Sequence, residues 1–568
     1  MRNYKILILK FCRFLTNIVR ETISPDNVRF FVLGSAQLVF SGINYSLFKN
    51  AYIDMAQISR DFIQNIVEKN IESVYAKGLT LEDVEGFEEY LASINDSLPQ
   101  IEEIGLFQAD KVNVTISNDY IEQQMFKILL DMVTVLVISI LFMVEMTLMS
   151  VVIMTRDSAK SVDNQKAIAG PKTSHGLVRA TTFFMNISAY MSHTFITIVM
   201  NKLYRPILGL PKDVVLGLAL SGEMLGGILA IIIAGWLMGR KGWKSIFSMG
   251  ALLLVAGNLL SGFSHSIIPY IIARGIAGLG LGCMLMTIRT LVVSLPESNT
   301  AIAEFSAGSV AGLNCGGVIG GMLAERIGYN TVFFLAAAIV IIPFAFIHKF
   351  MGQYEIKGRK TSNESALAKF ANFISDKKTI VFLVCIFAPH LINGSFLEYY
   401  FPLFASGNNL SQSDISRGFL LNGLFIIYLG PVLTRYATEK LGNLKGIIIA
   451  MFIVFYALIN FTLFGTIFAS FATIILLGIA ESFGTSLETT YFLSLEGIKN
   501  LEINQGIAYF SLMVYLNRML GPMVYGMALS LGTRMGVGII GLGVLILLLL
   551  FIFFSKYELR RNSTSITG

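Results

Sequence analysis

Charged and amide side chains recur in this sequence where they are hardest to accommodate, inside long apolar runs. Asn186, Tyr190 and His193 share one run, Glu223 lies in the next, and Arg274 and Asn314 occupy two later ones. His390, Asn393 and Glu398 share another, followed by Glu481 with Glu488 and then Asn517 with Arg518. An ionisable group in hydrocarbon is costly and normally faces a partner or a wet path, so these residues are candidates for binding a solute or moving a proton. Glu223 or Glu481 is expected to carry the proton, with Arg274 or Arg518 binding an anion or modulating that acid. Soluble-enzyme chemistry finds no counterpart. There is no H-E-x-x-H, no Cys/His metal spacing and no G-x-x-x-x-G-K-[ST] loop. The sequence therefore predicts no enzyme, no metal and no cofactor.

The elements that position these residues are apolar helices. Of 568 residues, 54% are apolar and only 14% charged, and the mean hydropathy is +0.67. A soluble chain carries roughly a quarter charged residues, so bilayer is the main solvent here. A spanning helix takes about 20 apolar residues and satisfies its own backbone. Two such spans are expected at 30–48 and 126–155, and twelve more between 176 and 556. The basic residues Arg2 to Arg29 precede the first span. Alternation then puts Arg156–Lys172, Arg240–Lys244, Lys349–Lys378, Arg435–Lys445 and Lys556–Arg561 on that same side. The positive-inside bias makes it cytoplasmic, with both termini. It also explains the net charge of +6 without a nucleic-acid partner. Cys12, Cys283, Cys315 and Cys385 lie in or beside spans, so no disulfide framework is expected.

Residues 49–124 form an island that topology places outside, with fifteen Asp/Glu against five Lys/Arg. Ile58, Phe62, Ile63, Ile66, Val67, Ile71 and Val74 predict one face of a long helix ending at Gly78. Thr80 and Asp83 suit a capping box for a second helix bearing Val84, Phe87 and Leu91. Ile104–Leu106 and Val112–Ile116 alternate like a hairpin around Asp110. Flanked by two membrane helices, this layout resembles a minimal Cache/PAS-type sensory module, which implies an extracytoplasmic ligand or protein partner.

The sequence from 176 onward contains an internal repeat with a shift of about 200 residues. Gly235, Arg240, Lys241, Gly242 and Lys244 form a tight basic turn, and Glu439, Lys440 and Gly442 recur at the shifted position. The turn resembles the G-x-L-a-D-R-x-G-R-K loop of the major facilitator superfamily, with Gly239 in the acidic position. Arg274-Gly-Ile-Ala-Gly278-Leu-Gly280 resembles that family's R-x-x-x-G-x-G motif. Gly312, Gly316, Gly320 and Gly321 match the spacing of its antiporter signature, with Gly317 replacing the usual proline, and Gly521-Pro522 restores a Gly-Pro pair in the second copy. All six read as close helix packing.

The resemblance implies an all-α polytopic membrane protein with a twelve-helix core of six plus six. Two N-terminal transmembrane helices and a small α/β extracytoplasmic domain are added to it. The expected order is a basic cytoplasmic segment (1–29), a span (30–48), the external domain (49–124), a span (126–155), a cytoplasmic linker (156–175), one core half (176–351), a central loop (352–378), the second half (379–556) and a tail (557–568). The function so implied is secondary active transport of a small polar or amphipathic solute across the cell membrane, coupled to an ion such as the proton. The competing expectation is a carrier-like receptor that signals ligand binding without moving solute.

Overall fold

In the computed structural model the described residues are 28–80, 84–98, 101–107, 111–162, 171–207, 209–295, 297–351, 376–495, 498 and 503–564. The expected N-terminal segment through residue 27, the linker at 163–170 and the central loop at 352–375 lie outside them, as do Asp83 and Asp110. The chain divides into two compact units, Met1–Val144 and Glu145–Gly568.

In the first unit, α1 (Val28–Ala76) is one unbroken helix. The sequence reading expected a membrane span and a separate outer helix. No Gly or Pro lies between Ile43 and Ala76 to break the ladder, and Gly78 stops it with a φ of +76°. β1 (Ile101–Phe107) and β2 (Lys111–Ile116) pair antiparallel, with Ile104 opposite Val114 and Leu106 opposite Val112. Ile63, Val67 and Ile71 cover the sheet through Ile101, Val112 and Val114. That face is narrower than expected: Ile58, Phe62 and Ile66 are exposed, because a two-stranded sheet covers only one stripe of a helix. The second helix, α2 (Phe87–Ser97), starts after Gly86, so Val84 precedes it. α3 (Asn118–Val162) follows β2.

The second unit is helical. α4 (Pro171–Tyr190) and α5 (Ile196–Lys202) are separated by a turn at 191–195, where a single span was expected. Then come α6 (Lys212–Lys241), α7 (Trp243–Phe263), α8 (Ile267–Ser294), α9 (Ser298–Ile327) and α10 (Tyr329–Met351). A second set comprises α11 (Lys377–Gly407), α12 (Gln412–Leu441), α13 (Asn443–Phe464), α14 (Ile467–Ser494), α15 (Ile503–Leu529) and α16 (Thr533–Thr564). Among the described residues eleven helices are long and apolar enough to cross a membrane; α1, α15 and the divided α4–α5 are not among them. The chain is a polytopic membrane protein.

α4 to α10 pack into one group, chiefly α6 and α7 on α8 and α4 on α9, and α11 to α16 into another. The groups meet where α6 lies on α15 and α9 on α12. Corresponding junctions have one backbone geometry: Gly242 joins α6 to α7 at φ 76°, ψ 159°, and Gly442 joins α12 to α13 at φ 77°, ψ 157°. Only glycine adopts this region without strain, which is why both copies of the repeat hold it there.

Candidate functional site

The first polar cluster grows from the glycines around it. Arg274 and Gly278 are four residues apart, so they share one face of α8. A methyl group on Gly278 would fall onto the backbone of Glu223, and one on Gly226 onto that of Gly275. α6 and α8 therefore meet backbone to backbone, and Arg274, one turn away, reaches the Glu223 carboxylate. Its Nη2 donates to Glu223 Oε2 at 2.6 Å and its Nε at 3.2 Å, while Nη1 donates to Asn258 Oδ1 at 3.3 Å. His193 Nε2 lies 3.2 Å from Glu223 Oε1. Arg274 is 1% exposed and Glu223 3%. Glu223, expected with Glu481 as one of two alternative proton carriers, is held by Arg274 and His193 of its own group.

The second cluster lies on α11, α14 and α15. His390 and Asn393 sit in Ala388–Ser395, between two π-helical turns at Leu383–Phe387 and Phe396–Tyr400. Such turns mark helices whose ladder is locally disturbed, often at working sites. Pro389, which lacks an N–H, adds to the disturbance here. His390 Nδ1 lies 2.6 Å from Glu488 Oε1, and Tyr525 donates to Asn393 Oδ1 at 3.1 Å. Arg518 pairs with Glu398 and interacts with the Tyr190 phenol of the first group. Arg518, which with Arg274 the sequence offered as binding an anion or modulating the acid, is thus engaged with these two partners. Glu481 differs from every other acid in the set. It is exposed, and among the described residues it has no hydrogen bond or ion pair, although His390, Arg518, Glu398 and Glu488 are its electrostatic neighbours.

Asn186, Asn314 and Asn517 each donate their amide to the carbonyl four residues back, at 2.8 Å, leaving the amide oxygen for other contacts. Gly312, Gly316 and Gly320 lie against the backbones of Phe183, Ile187 and Met191 on α4 and its following turn. Gly321 abuts Ser416 and Gly521 abuts Ser395, while Pro522 lies against Gly217. In the basic turn, the Arg240 guanidinium lies 4.2 Å from the centre of the Trp236 ring, Lys241 and Lys244 flank the Gly242 junction, and Glu439 and Lys440 sit in a π-helical turn before Gly442.

Sequence reasoning missed Asn258, Arg179, Glu304 and Arg289. Asn258 is a lone amide in an apolar run and was detectable as such, whereas Arg179 and Arg289 lie near span ends, where a basic residue reads as topology. Arg289 Nη1 donates to Ser511 Oγ across the groups at 2.6 Å. Further cross-group contacts are also single hydrogen bonds, beside the Arg518–Tyr190 interaction. Ser221 donates to Met519 O at 2.8 Å, Gln412 to Thr194 O at 3.2 Å, the Ser413 N–H to Glu325 at 2.7 Å, and Tyr399 to Asp213 O. By contrast, the ion pairs Arg179–Glu304, His193–Glu223 and Arg274–Glu223 lie within the first group, and His390–Glu488 and Arg518–Glu398 within the second.

The profile of the Major Facilitator Superfamily matches residues 182–497. The chain belongs to the major facilitator superfamily. Among curated proteins it is 27% identical over 245 residues to the multidrug resistance protein MdtG of Klebsiella pneumoniae (strain 342), a match covering 42% of this chain and 58% of that protein. To MdtG of Proteus mirabilis (strain HI4320) it is 34% identical over 131 residues, covering 22% and 32% respectively. The chain thus spans between about a third and three fifths of these relatives. Among solved structures, a POT family transporter in complex with 5-aminolevulinic acid superposes with a TM-score of 0.56 at 13% identity, over 70% of this chain and 99% of that one. The nucleoside transporter NupG superposes with a TM-score of 0.51 at 12% identity, over 66% and 99%. These likenesses show the facilitator fold.

Proposed function

We propose that this chain is a secondary active transporter that moves a small amphipathic solute by alternating access. In this reading twelve core spans form two groups of six, preceded by two N-terminal spans around an external domain, and the Gly242 end and both termini face the cytoplasm. The observation that carries the proposal is the segregation of ion pairs. Ion pairs tie each group together, while single hydrogen bonds join the groups, worth about 0.5–1.5 kcal/mol each between neutral partners and about 1.5–3 where one partner is charged. Two internally rigid bodies with a weakly bonded seam can rock about a central site.

The cargo is proposed to carry a positive charge. Glu398 is matched by Arg518 and Glu488 by His390, which leaves the exposed Glu481 as the acid of this cluster with no hydrogen bond or ion pair among the described residues. A cation entering between the groups meets an uncompensated negative charge there, and a proton competes for the same oxygen atoms. The names of the MdtG relatives, multidrug resistance proteins, support an amphipathic cargo and outward transport. Residues 49–124 are proposed to act outside as a sensory or docking module.

Flux of ethidium, an amphipathic cation, into proteoliposomes under an imposed pH gradient tests this. The full chain is expected to accumulate the dye when the gradient is present and to lose that response in Glu481→Gln. A chain that binds the dye but never moves it sinks the carrier reading and favours the receptor.

A further inference from the structure

A chain of contacts runs from α3, a helix outside the two core groups, to the seam between them. Arg179 on α4 grips Glu145 on α3 with both edges of the carboxylate, Nε to Oε2 at 2.8 Å and Nη2 to Oε1 at 2.6 Å. Its remaining nitrogen, Nη1, donates to Glu304 on α9 at 3.0 Å. One guanidinium therefore serves two carboxylates, and the cluster is one positive charge short. The two arms differ in environment: the Glu145 side chain is 5% exposed and that of Glu304 34%. The Glu145 arm is buried and the Glu304 arm half-buried, which makes the Glu304 arm the readier of the two to release. Gly308, one turn beyond Glu304, lies directly against the Arg179 backbone, so α4 and α9 pack backbone to backbone here.

The line continues past Glu304. Its neighbour Phe305 lies under the Arg289 guanidinium of α8, 5.7 Å from ring centre to Cζ. Arg289 in turn donates to Ser511 on α15, in the opposite group. Arg289 lies near the end of α8, Glu304 near the start of α9 and Ser511 near the start of α15, so the whole path runs at the Gly242 end of the bundle.

We propose that Glu145 and Glu304 are positioning residues through which α3 holds that end closed. While Arg179 spans both carboxylates, the start of α9 is fixed, Phe305 keeps Arg289 aimed across the seam, and Ser511 is held. When the Glu304 arm releases, α9 turns, Phe305 leaves Arg289, and the seam loses its charged hydrogen bond. Because α3 begins just after β2, a change in the hairpin has a covalent route to Glu145. The proposal adds regulation to the transport reading without needing to know the cargo.

Hydrogen–deuterium exchange of the full chain in lipid nanodiscs tests it without any substrate. Glu304→Gln keeps α3 docked on Arg179 and cuts the line beyond it. It is expected to speed exchange in the first turns of both α9 and α15 by about three- to tenfold, the ratio that losing one modest hydrogen bond gives. Glu145→Gln is expected to do the same, and the double variant to add nothing further on α15. A Glu304→Gln chain with unchanged exchange on α15 overturns the proposal, and so does a Glu145→Gln effect confined to α3 and α4. If Glu145→Gln does not fold, the Glu304→Gln comparison decides alone. Neither outcome touches the dye-flux result, so the two readings fail separately.

Discussion

Replacing Glu223 by Gln removes one charge and keeps the shape, which isolates the electrostatic role of the buried pair. Arg274 is 1% exposed and loses its carboxylate contacts at 2.6 and 3.2 Å, keeping Asn258 at 3.3 Å. Stranding a buried charge in this way costs about 3–5 kcal/mol. For a folding body the size of the α4–α10 group, Pro171 to Met351, the shift is roughly 2–4 °C per kcal/mol, so the apparent Tm is expected to fall by on the order of 10 °C. Cys283, Cys315 and Cys385 are all free and buried, so a thiol-reactive fluorophore reports unfolding directly on heating. The second arm is Glu223→Gln with Arg274→Met. Removing both charges leaves nothing stranded, and most of the lost stability is expected to return. The midpoint of the single variant should respond little to added salt, because a pair this deep is poorly screened. A single variant within about 1 °C of the parent, or a double variant less stable than the single, refutes the reading of Glu223 as a structural counter-ion and returns it to the proton path.

Gly278→Val sets a side chain against the Glu223 backbone and is expected to abolish folded protein on size exclusion, whereas Gly543→Ala, which meets nothing within 4 Å, should leave the yield unchanged. Gly242→Ala has equally free space but a φ of +76°, so it should cost about 1–3 kcal/mol by strain alone, read as a lower Tm with intact assembly. Glu481→Gln removes an acid without a partner, so it should unfold at the parent's temperature while losing pH-driven dye accumulation. A large drop in Tm there would mean that the carboxylate is structural.

The helical runs were legible because an apolar stretch of about 20 residues has few other uses, and Gly242 and Gly442 were legible as junctions because their spacing repeats. The polar residues were legible as unusual, though not as paired. Partner choice depends on helix rotation and depth, and the partner of Glu223 lies 51 positions away on a helix that reaches it only through Gly226 and Gly278. The outer helix shows the same limit from the other side. Seven apolar positions fit a helical face, but the width of that face is set by the two strands against it, and only Ile63, Val67 and Ile71 are buried there. The break between Tyr190 and Ile196 has no Gly or Pro to announce it.

The distribution of strong and weak contacts bears on how such a bundle can move at all. Rocking the groups apart exchanges bonds at the seam and leaves those inside each group intact. Ser221 to Met519 and Gln412 to Thr194 are hydrogen bonds onto backbone oxygens, worth about 0.5–1.5 kcal/mol each and replaceable by water as the seam opens. The energy separating interconverting conformations is itself a few kcal/mol, so a seam built from such bonds leaves both states populated. If the Glu223–Arg274 pair straddled the groups, each cycle would strand two buried charges, at about 3–5 kcal/mol for the broken pair. Placing Arg274, Glu223 and His193 inside one group, and His390, Glu488, Arg518 and Glu398 inside the other, keeps that cost out of the cycle. Arg289 on Ser511, like Arg518 beside the Tyr190 phenol, puts a charged donor on a neutral acceptor across the seam. It is strong enough to bias one end towards closure and weak enough to release.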